Sequence, residues 1–266
     1  VIDLHCHILP GLDDGPKDTA EALAMADQAS ADGTTDLVCT PHAYPGVYFH
    51  EVERVRAVFE AFKAALASTR IPLRVHLGQD LHLVPETLGW LKAGRVLTLN
   101  GGRYCLVEPP DFFHPNEIEE SLFALRREGF RPVVTHPERY GVFLDDPALL
   151  DRLAEQGNLF QVTAGAVRGR FGPRAQACAR RMARRRLIHI LASDAHSPRR
   201  RHPGLRKAFA VLREWVGDGD AEVVMQNAAA LLEDRDPVPF PPRDDRGWLR
   251  RVSDRLFGRR RGAGLG

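Results

Sequence analysis

Seven short apolar runs, rich in Val, Ile, Leu, Thr and Phe and without strict alternation, punctuate the chain at 2–5, 35–40, 73–79, 104–108, 132–136, 159–163 and 187–193. Continuous runs of this kind suit strands buried on both faces of a parallel sheet, because a strand with one wet face would alternate. Between them the period becomes helical. In 17–32, Ala, Leu and Met recur at helical spacing and Gly33 follows as a C-cap. The stretch 51–68 puts Val52, Val55, Phe59, Phe62 and Leu66 on one stripe. Helices are also expected at 115–128 and 147–156, each followed by glycine, and at 173–186, 205–216 and 221–233.

Strand and helix alternating seven times implies either a βα barrel or a doubly wound sheet. The polar residues favour the barrel. His5, the triplet 40–42, Gln79, Asp80, Glu108, His136, Thr163 and the stretch 193–196 all fall at or just past strand ends. Polar groups arriving from at least six strand ends fit a barrel mouth better than a single switch-point crevice. The expected fold is therefore α/β, a TIM-like (β/α)7 barrel over residues 1–236. Residues 237–266 form a second region. Pro237, Pro239, Pro241 and Pro242 make an extended linker, and Trp248, Leu249, Val252, Leu256 and Phe257 then share a helical face opposite arginines.

Charge sharpens this division. The formal net charge of the 266 residues is +2, but 243–261 holds eight arginines against three aspartates, which leaves the body near −3. A mildly acidic body argues against broad nucleic-acid binding. No apolar run approaches the ~20 residues of a membrane span, and no secretory signal pattern opens the chain. The four cysteines lack CxxC spacing and read as reduced thiols of a cytoplasmic protein.

The candidate chemistry lies in the strand-end residues. In Asp3-Leu4-His5-Cys6-His7 the period-two alternation of a strand sends both imidazoles the same way, and Asp13-Asp14-Gly15 follows closely. Taken singly, each His or carboxylate could be a capping or core-packing residue. Gathered in one mouth, however, several carboxylates would repel one another and take up protons unless cations neutralise them. Neutral imidazoles beside carboxylates are a donor set for divalent transition metals, so a multinuclear metal site is expected.

At this point the residues resemble a known family. Residues 2–16, Ile-Asp-Leu-His-Cys-His-Ile-Leu-Pro-Gly-Leu-Asp-Asp-Gly-Pro, are similar to the opening of the bacterial PHP-family protein-tyrosine phosphatases. These are metal hydrolases of the polymerase-and-histidinol-phosphatase class that act in capsule and exopolysaccharide control. Thr40-Pro41-His42, His136-Pro137-Glu138-Arg139-Tyr140, Thr163-Ala164-Gly165, Gly169-Arg170-Phe171-Gly172 and Ala192-Ser193-Asp194-Ala195-His196 extend the resemblance in order, over roughly residues 1–235.

The resemblance implies a distorted (β/α)7 barrel with three divalent ions, Mn2+ before Fe or Zn. It implies His5, His7 and Asp194 around the first ion with the carboxylate at 80, and Glu108 and His136 around the second, sharing that carboxylate. Asp14, His42 and His196 would surround the third. Arg139 and Arg201 stand where the family binds phosphate. One position departs: the family's Glu is here Asp80, one methylene shorter, which can bridge two ions only if its strand lies closer.

The implied reaction is phosphotyrosine hydrolysis on a protein, with metal-activated hydroxide as nucleophile and an exopolysaccharide-export, membrane-anchored tyrosine kinase as substrate. The phenol leaves readily, so a dedicated acid is dispensable. The basic tail would fold back on the barrel, dock at an anionic inner-membrane surface or on a membrane-bound kinase, or stay disordered, and homo-oligomers occur in the family. The rival readings are a small-molecule phosphomonoesterase of the histidinol-phosphate type and a non-catalytic regulatory protein. Cys178 and Arg184 have the spacing of thiol phosphatases, but the intervening residues are helical and glycine-free. His50, His76, His82, His114, His189 and His202 have no motif context and read as packing or solvated residues.

Overall fold

The computed structural model describes residues 1–110 and 113–240, so the amphipathic tail expected at 243–261 lies outside the described residues. The fold is α/β, and every strand ladder in it is parallel. β1 (Ile2–Cys6), β2 (Asp36–Cys39) and β4 (Arg74–Leu77) make a three-stranded sheet in the order β1-β2-β4. β3 (His42–Ala43), β5 (Asp80–His82), β6 (Tyr104–Glu108), β7 (Arg131–Thr135), β8 (Leu159–Thr163) and β9 (Ile190–Ala192) make a six-stranded sheet in that order. Among the described residues the ladders do not themselves close into a ring. An isolated parallel bridge, Cys6 to Ala195, links the end of β1 to the segment after β9.

Two of the seven expected runs are broken where the sequence gives a reason. The run 35–40 stops at Cys39 and resumes as β3 after Thr40-Pro41, because proline has no N–H for the ladder. The run 73–79 stops at Leu77 and resumes as β5. There a Cβ on Gly78 would come within 3.2–3.3 Å of Leu99 and Val38. Each break moves the chain from the small sheet to the large one, and each new strand opens on a polar residue, His42 or Asp80.

Helices cover the sheets. α1 (Thr19–Ala31) starts where Asp18 accepts a hydrogen bond from the Glu21 amide and stops before Gly33, whose φ is +98°. It buries Ala22, Met25, Ala26 and Ala29, and α2 (Val52–Ala67) buries Val52, Val55, Phe59, Phe62 and Leu66. α3 (Thr87–Lys92), α4 (Pro115–Arg127), α5 (Gly141–Asp145), α6 (Pro147–Glu155), α7 (Ala164–Val167), α8 (Gly172–Arg184), α9 (Arg206–Val216) and α10 (Asp218–Leu232) complete the layer. One apolar cluster joins Leu4, Val38, Leu106, Val133 and Ile190, from strands of both sheets, to Ala228 and Leu231 of α10.

After α10 the chain stays on the body as far as it is described. The Val238 amide donates to Asn227 Oδ1 at 2.7 Å, and Arg186 lies over the Phe240 ring. Among the described residues no helix is long and apolar enough to cross a membrane. All four cysteines are buried free thiols.

Candidate metal centre

β1 delivers the first two imidazoles. His5 and His7 flank Cys6, so the alternation of the strand turns both rings one way, and both are fully buried. Their Nε2 atoms face each other at 2.9 Å. The outer nitrogens are already committed: His5 Nδ1 lies 3.0 Å from Gln161 Oε1, and His7 Nδ1 lies 2.8 Å from Asp13 Oδ2. Both acceptors are oxygens, so each Nδ1 carries the proton and two Nε2 lone pairs point at one spot. Burial holds the His5 imidazole down at about 4 and that of His7 well below its ordinary value, so both are neutral. Two converging lone pairs repel unless a cation lies between them.

Asp13 also accepts from the His42 amide (2.9 Å) and the Gly15 amide (2.9 Å), which fixes the loop that presents Asp14. The loop needs glycine at 15, where a Cβ would meet His7 O at 2.4 Å. Asp14 is half-exposed, with Oδ1 at 3.3 Å from His196 Nε2 and 3.7 Å from His42 Nε2. His196 Nδ1 donates to the Asp194 carbonyl (3.1 Å), so here too Nε2 offers a lone pair.

Asp80 opens β5, in register between His42 of β3 and Leu106 of β6. Its carboxylate is fully buried, and neither oxygen has a hydrogen-bond partner. Oδ2 lies 3.5 Å from both His5 Nε2 and His42 Nδ1. Burial, then Glu108 and Asp194, push this carboxyl well above its ordinary range. Glu108 accepts from the Tyr140 hydroxyl and lies 3.6 Å from both His136 Nε2 and His42 Nδ1. A buried carboxylate with unpaired oxygens costs several kcal/mol unless something positive meets it.

His136 and Asp194 have φ of +32° and +50°, a region that non-glycine residues seldom occupy. Strain of this kind persists where the surroundings impose it, and both residues point into the cluster. Asp194 Oδ1 is 3.6 Å from His5 Nε2 and from His7 Nε2, while Oδ2 accepts from Arg139 Nη1 (3.0 Å) and Arg201 Nη2. Burial favours the neutral acid, but His5, Arg201, His136 and His196 outweigh it and hold the carboxyl well below the usual range. Arg139 is supported from below by the Phe171 ring, 4.8 Å from its guanidinium. That contact explains Gly165, where a Cβ would strike Phe171 at 2.6 Å.

The structure thus brings all nine expected ligand candidates and both arginines together, His5, His42, Asp80 and Glu108 from the strands and the others from the segments that follow strands. Three overlapping groups could each hold an ion: His5, His7 and Asp80; His42, Asp80 and Glu108; and His7, Asp14, His42 and His196. This grouping differs in detail from the expectation, since His42 faces both the Asp80–Glu108 pair and the Asp14–His196 pair. Asp13 and Gln161, which orient imidazoles, and Tyr140, which fixes Glu108, were not among the expected site residues. His82 stacks on Tyr44 instead. Cys178 is buried inside α8, and burial raises its thiol pKa, which leaves no thiolate nucleophile there.

Residues 1–233 match the family described as "Capsular polysaccharide synthesis, CpsB/CapC". The chain is 35% identical over 242 residues to tyrosine-protein phosphatase YwqE of Bacillus subtilis (strain 168), covering 91% of this chain and 95% of that protein. It is 25% identical over 241 residues to tyrosine-protein phosphatase CpsB of Streptococcus pneumoniae, covering 88% and 99%. Its structure superposes with a TM-score of 0.86 and 34% identity, over 91% of this chain and 100% of the other, on one from a study of YwqE and CpsB as unique metal-dependent tyrosine phosphatases. With these sequences aligned along nearly their whole length and the same overall architecture, the chain belongs to the CpsB/CapC capsular polysaccharide synthesis family.

Proposed function

We propose that the chain is a metal-dependent protein-tyrosine phosphatase that hydrolyses phosphotyrosine on a protein substrate. The observation that carries this reading is the buried set of lone pairs without a donor, namely the facing His5 and His7 Nε2 atoms and the two unpaired Asp80 oxygens. These fit divalent ions. His5, His7, Asp194 and Asp80 would hold one, Asp80, Glu108 and His136 a second, and Asp14, His42 and His196 a third, with His42 able to serve either of the last two. The set is nitrogen and oxygen without sulfur, which suits Mn2+ and also accommodates Fe or Zn. Bound divalent ions supply charge neutralisation at phosphoryl oxygens and lower the pKa of water.

The chain's own residues do the rest. Arg139 and Arg201 present guanidinium forks whose geometry matches two phosphate oxygens. Asp194 aims both, and the Phe171 ring restricts Arg139 to one face. Asp13 and Gln161 fix the tautomers of His7 and His5, so their lone pairs are set before substrate arrives. We expect Arg139→Ala to lower kcat/KM on a phosphotyrosine peptide about tenfold to a hundredfold, for a lost charged hydrogen bond of about 1.5–3 kcal/mol. Metal content should not change in that variant. Wild-type kcat/KM would remove Arg139 from the site.

We further infer that the two sheets together make a distorted (β/α)7 barrel. Counting β2 with β3 and β4 with β5 gives seven strand runs, and two observations support closure: the Cys6–Ala195 bridge and the apolar cluster shared by both sheets. Residues 1–236 would form that barrel and 237–266 a linker and tail. The basic tail, eight arginines within 243–261, suits peripheral contact with an anionic inner membrane. In a cytoplasmic enzyme this would bring the site near a membrane-anchored tyrosine kinase, the proposed substrate. The function is tested by comparing kcat/KM of the Mn2+-loaded enzyme on a phosphotyrosine peptide and on histidinol phosphate. The reading predicts at least about a tenfold preference for the peptide, about 1.4 kcal/mol of transition-state binding. The reverse preference would assign the site to small phosphomonoesters.

A further inference from the structure

Beside the metal centre lies a cavity of about 230 Å³ that shares Asp194 and Arg201 with it. From there the wall continues over Arg168, Arg170, Arg200 and His202, with Phe171 at one side. Among the described residues Asp194 is the single acidic one lining the cavity, and both Arg139 and Arg201 already engage it. Arg168 follows the last turn of α7, and Arg170 Nη2 lies 3.0 Å from His202 Nε2. Among the described residues, none of Arg168, Arg170 and Arg200 makes an ion pair with a carboxylate. Asp32 acts on Arg168 through space without pairing with it, and its Oδ2 already accepts from the Leu205 and Arg206 amides at 2.6 and 2.8 Å. Some arginines elsewhere are paired, as in Arg174 with Asp145, Arg185 with Asp151 and Arg186 with Asp220; what marks the bay is that three without such a partner line one cavity.

Gathering like charges without partners is unfavourable unless an anion enters from outside. The position decides which anion. The cavity opens from the same Asp194–Arg201 edge that would receive the reacting phosphate, and residues of an extended peptide advance about 3.3 Å each. A side chain one or two positions from the phosphotyrosine therefore reaches it.

We propose that this basic bay is a specificity subsite for a second anionic side chain of the substrate, lying within two residues of the reacting phosphotyrosine. The ligand chemistry is a carboxylate or a second phosphate. Arg168 and Arg200 are its specificity-determining residues, and Arg170, held beside His202, lines its outer wall. The inference rests on the phosphotyrosine reading above and deepens it.

The test uses the Mn2+-loaded full chain and three phosphotyrosine peptides of equal length. One has neutral flanking residues, one has glutamates, and one has a second phosphotyrosine two positions away. Wild type should show kcat/KM about fivefold to tenfold higher on at least one anionic peptide than on the neutral one, as two partly exposed charge pairs would give. Preference for the glutamate peptide identifies a carboxylate ligand, and preference confined to the doubly phosphorylated peptide identifies phosphate. Arg168→Gln/Arg200→Gln should hydrolyse the neutral peptide at the wild-type rate and lose the preference. Arg200→Gln alone, at an exposed position, should lose part of it. Arg199→Gln, exposed next door but outside the bay, should keep it.

No preference in wild type, a preference that survives the double substitution, or an equal loss in Arg199→Gln would overturn the subsite while leaving the phosphatase reading intact. Failure of wild type to hydrolyse any of the three peptides would overturn both.

Discussion

Asp194→Asn is expected to lower kcat/KM on a phosphotyrosine peptide by roughly two hundredfold to several thousandfold, the largest effect of any single polar substitution in this protein. Among the described residues Asp194 is the one carboxylate that meets both the imidazoles and the two arginines. Oδ1 faces His5 and His7 Nε2 at 3.6 Å, and Oδ2 accepts from Arg139 and Arg201. Removing one member of a buried ion pair costs about 3–5 kcal/mol, which as transition-state stabilisation corresponds to that range. Asparagine is the informative replacement because it tolerates the left-handed backbone that residue 194 adopts (φ +50°) and keeps the side-chain shape. The variant should therefore remain folded by circular dichroism while losing activity and part of its metal. Full activity with full metal content would mean that Asp194 neither holds an ion nor aims the arginines.

The second large effect is expected at Asp80. Asp80→Ala removes the carboxylate common to two of the three candidate groups, so at least one ion per chain should be lost, and activity should fall about a hundredfold or more. Asp80→Glu installs the longer side chain that the sequence resemblance implies at this position. The observed geometry also answers how aspartate can serve there, because Oδ2 already reaches to 3.5 Å from His5 and His42. Glutamate adds one methylene to a fully buried position, an overpacking cost of about 1–3 kcal/mol in stability, yet it keeps the charge. Activity and metal content should therefore be kept or raised, with a lower Tm. Unchanged metal content in Asp80→Ala would show that Asp80 is not a shared ligand.

Much of this site was legible in the sequence because parallel strands announce themselves twice, as apolar runs and as abrupt polar endings. His5, His7, Glu108, His136, Asp194 and His196 all stand at such endings, and the structure puts them there. Asp14 could be read from its short distance to the His5–His7 pair. The breaks at Thr40-Pro41 and Gly78-Gln79 were not legible as breaks, since an apolar run looks continuous whether or not its ladder changes partner. The short helices α3, α5 and α7 escaped because four to six residues are too few to display a period.

The orienting residues escaped for a different reason. Gln161 lies in the interior of β8 and resembles any core residue, and only its contact with His5 Nδ1 reveals its use. Asp13 and Asp14 are adjacent carboxylates, and nothing local says which will orient an imidazole and which will face an ion. The division of His42 between two groups depends on its two nitrogens pointing in two directions, which spacing along a chain does not encode.

The central claim, that metal ions on this histidine and carboxylate set drive phosphotyrosine hydrolysis, is tested most directly by elemental analysis of the purified protein. The same sample would be assayed on a phosphotyrosine peptide as isolated, after chelation, after Mn2+ is restored, and after thiol alkylation. The account predicts bound divalent metal, activity lost with the metal and regained with Mn2+, and no loss on alkylation, since all four cysteines lie outside the cluster. Activity that survives complete removal of metal, or that disappears when the thiols are blocked, would contradict it.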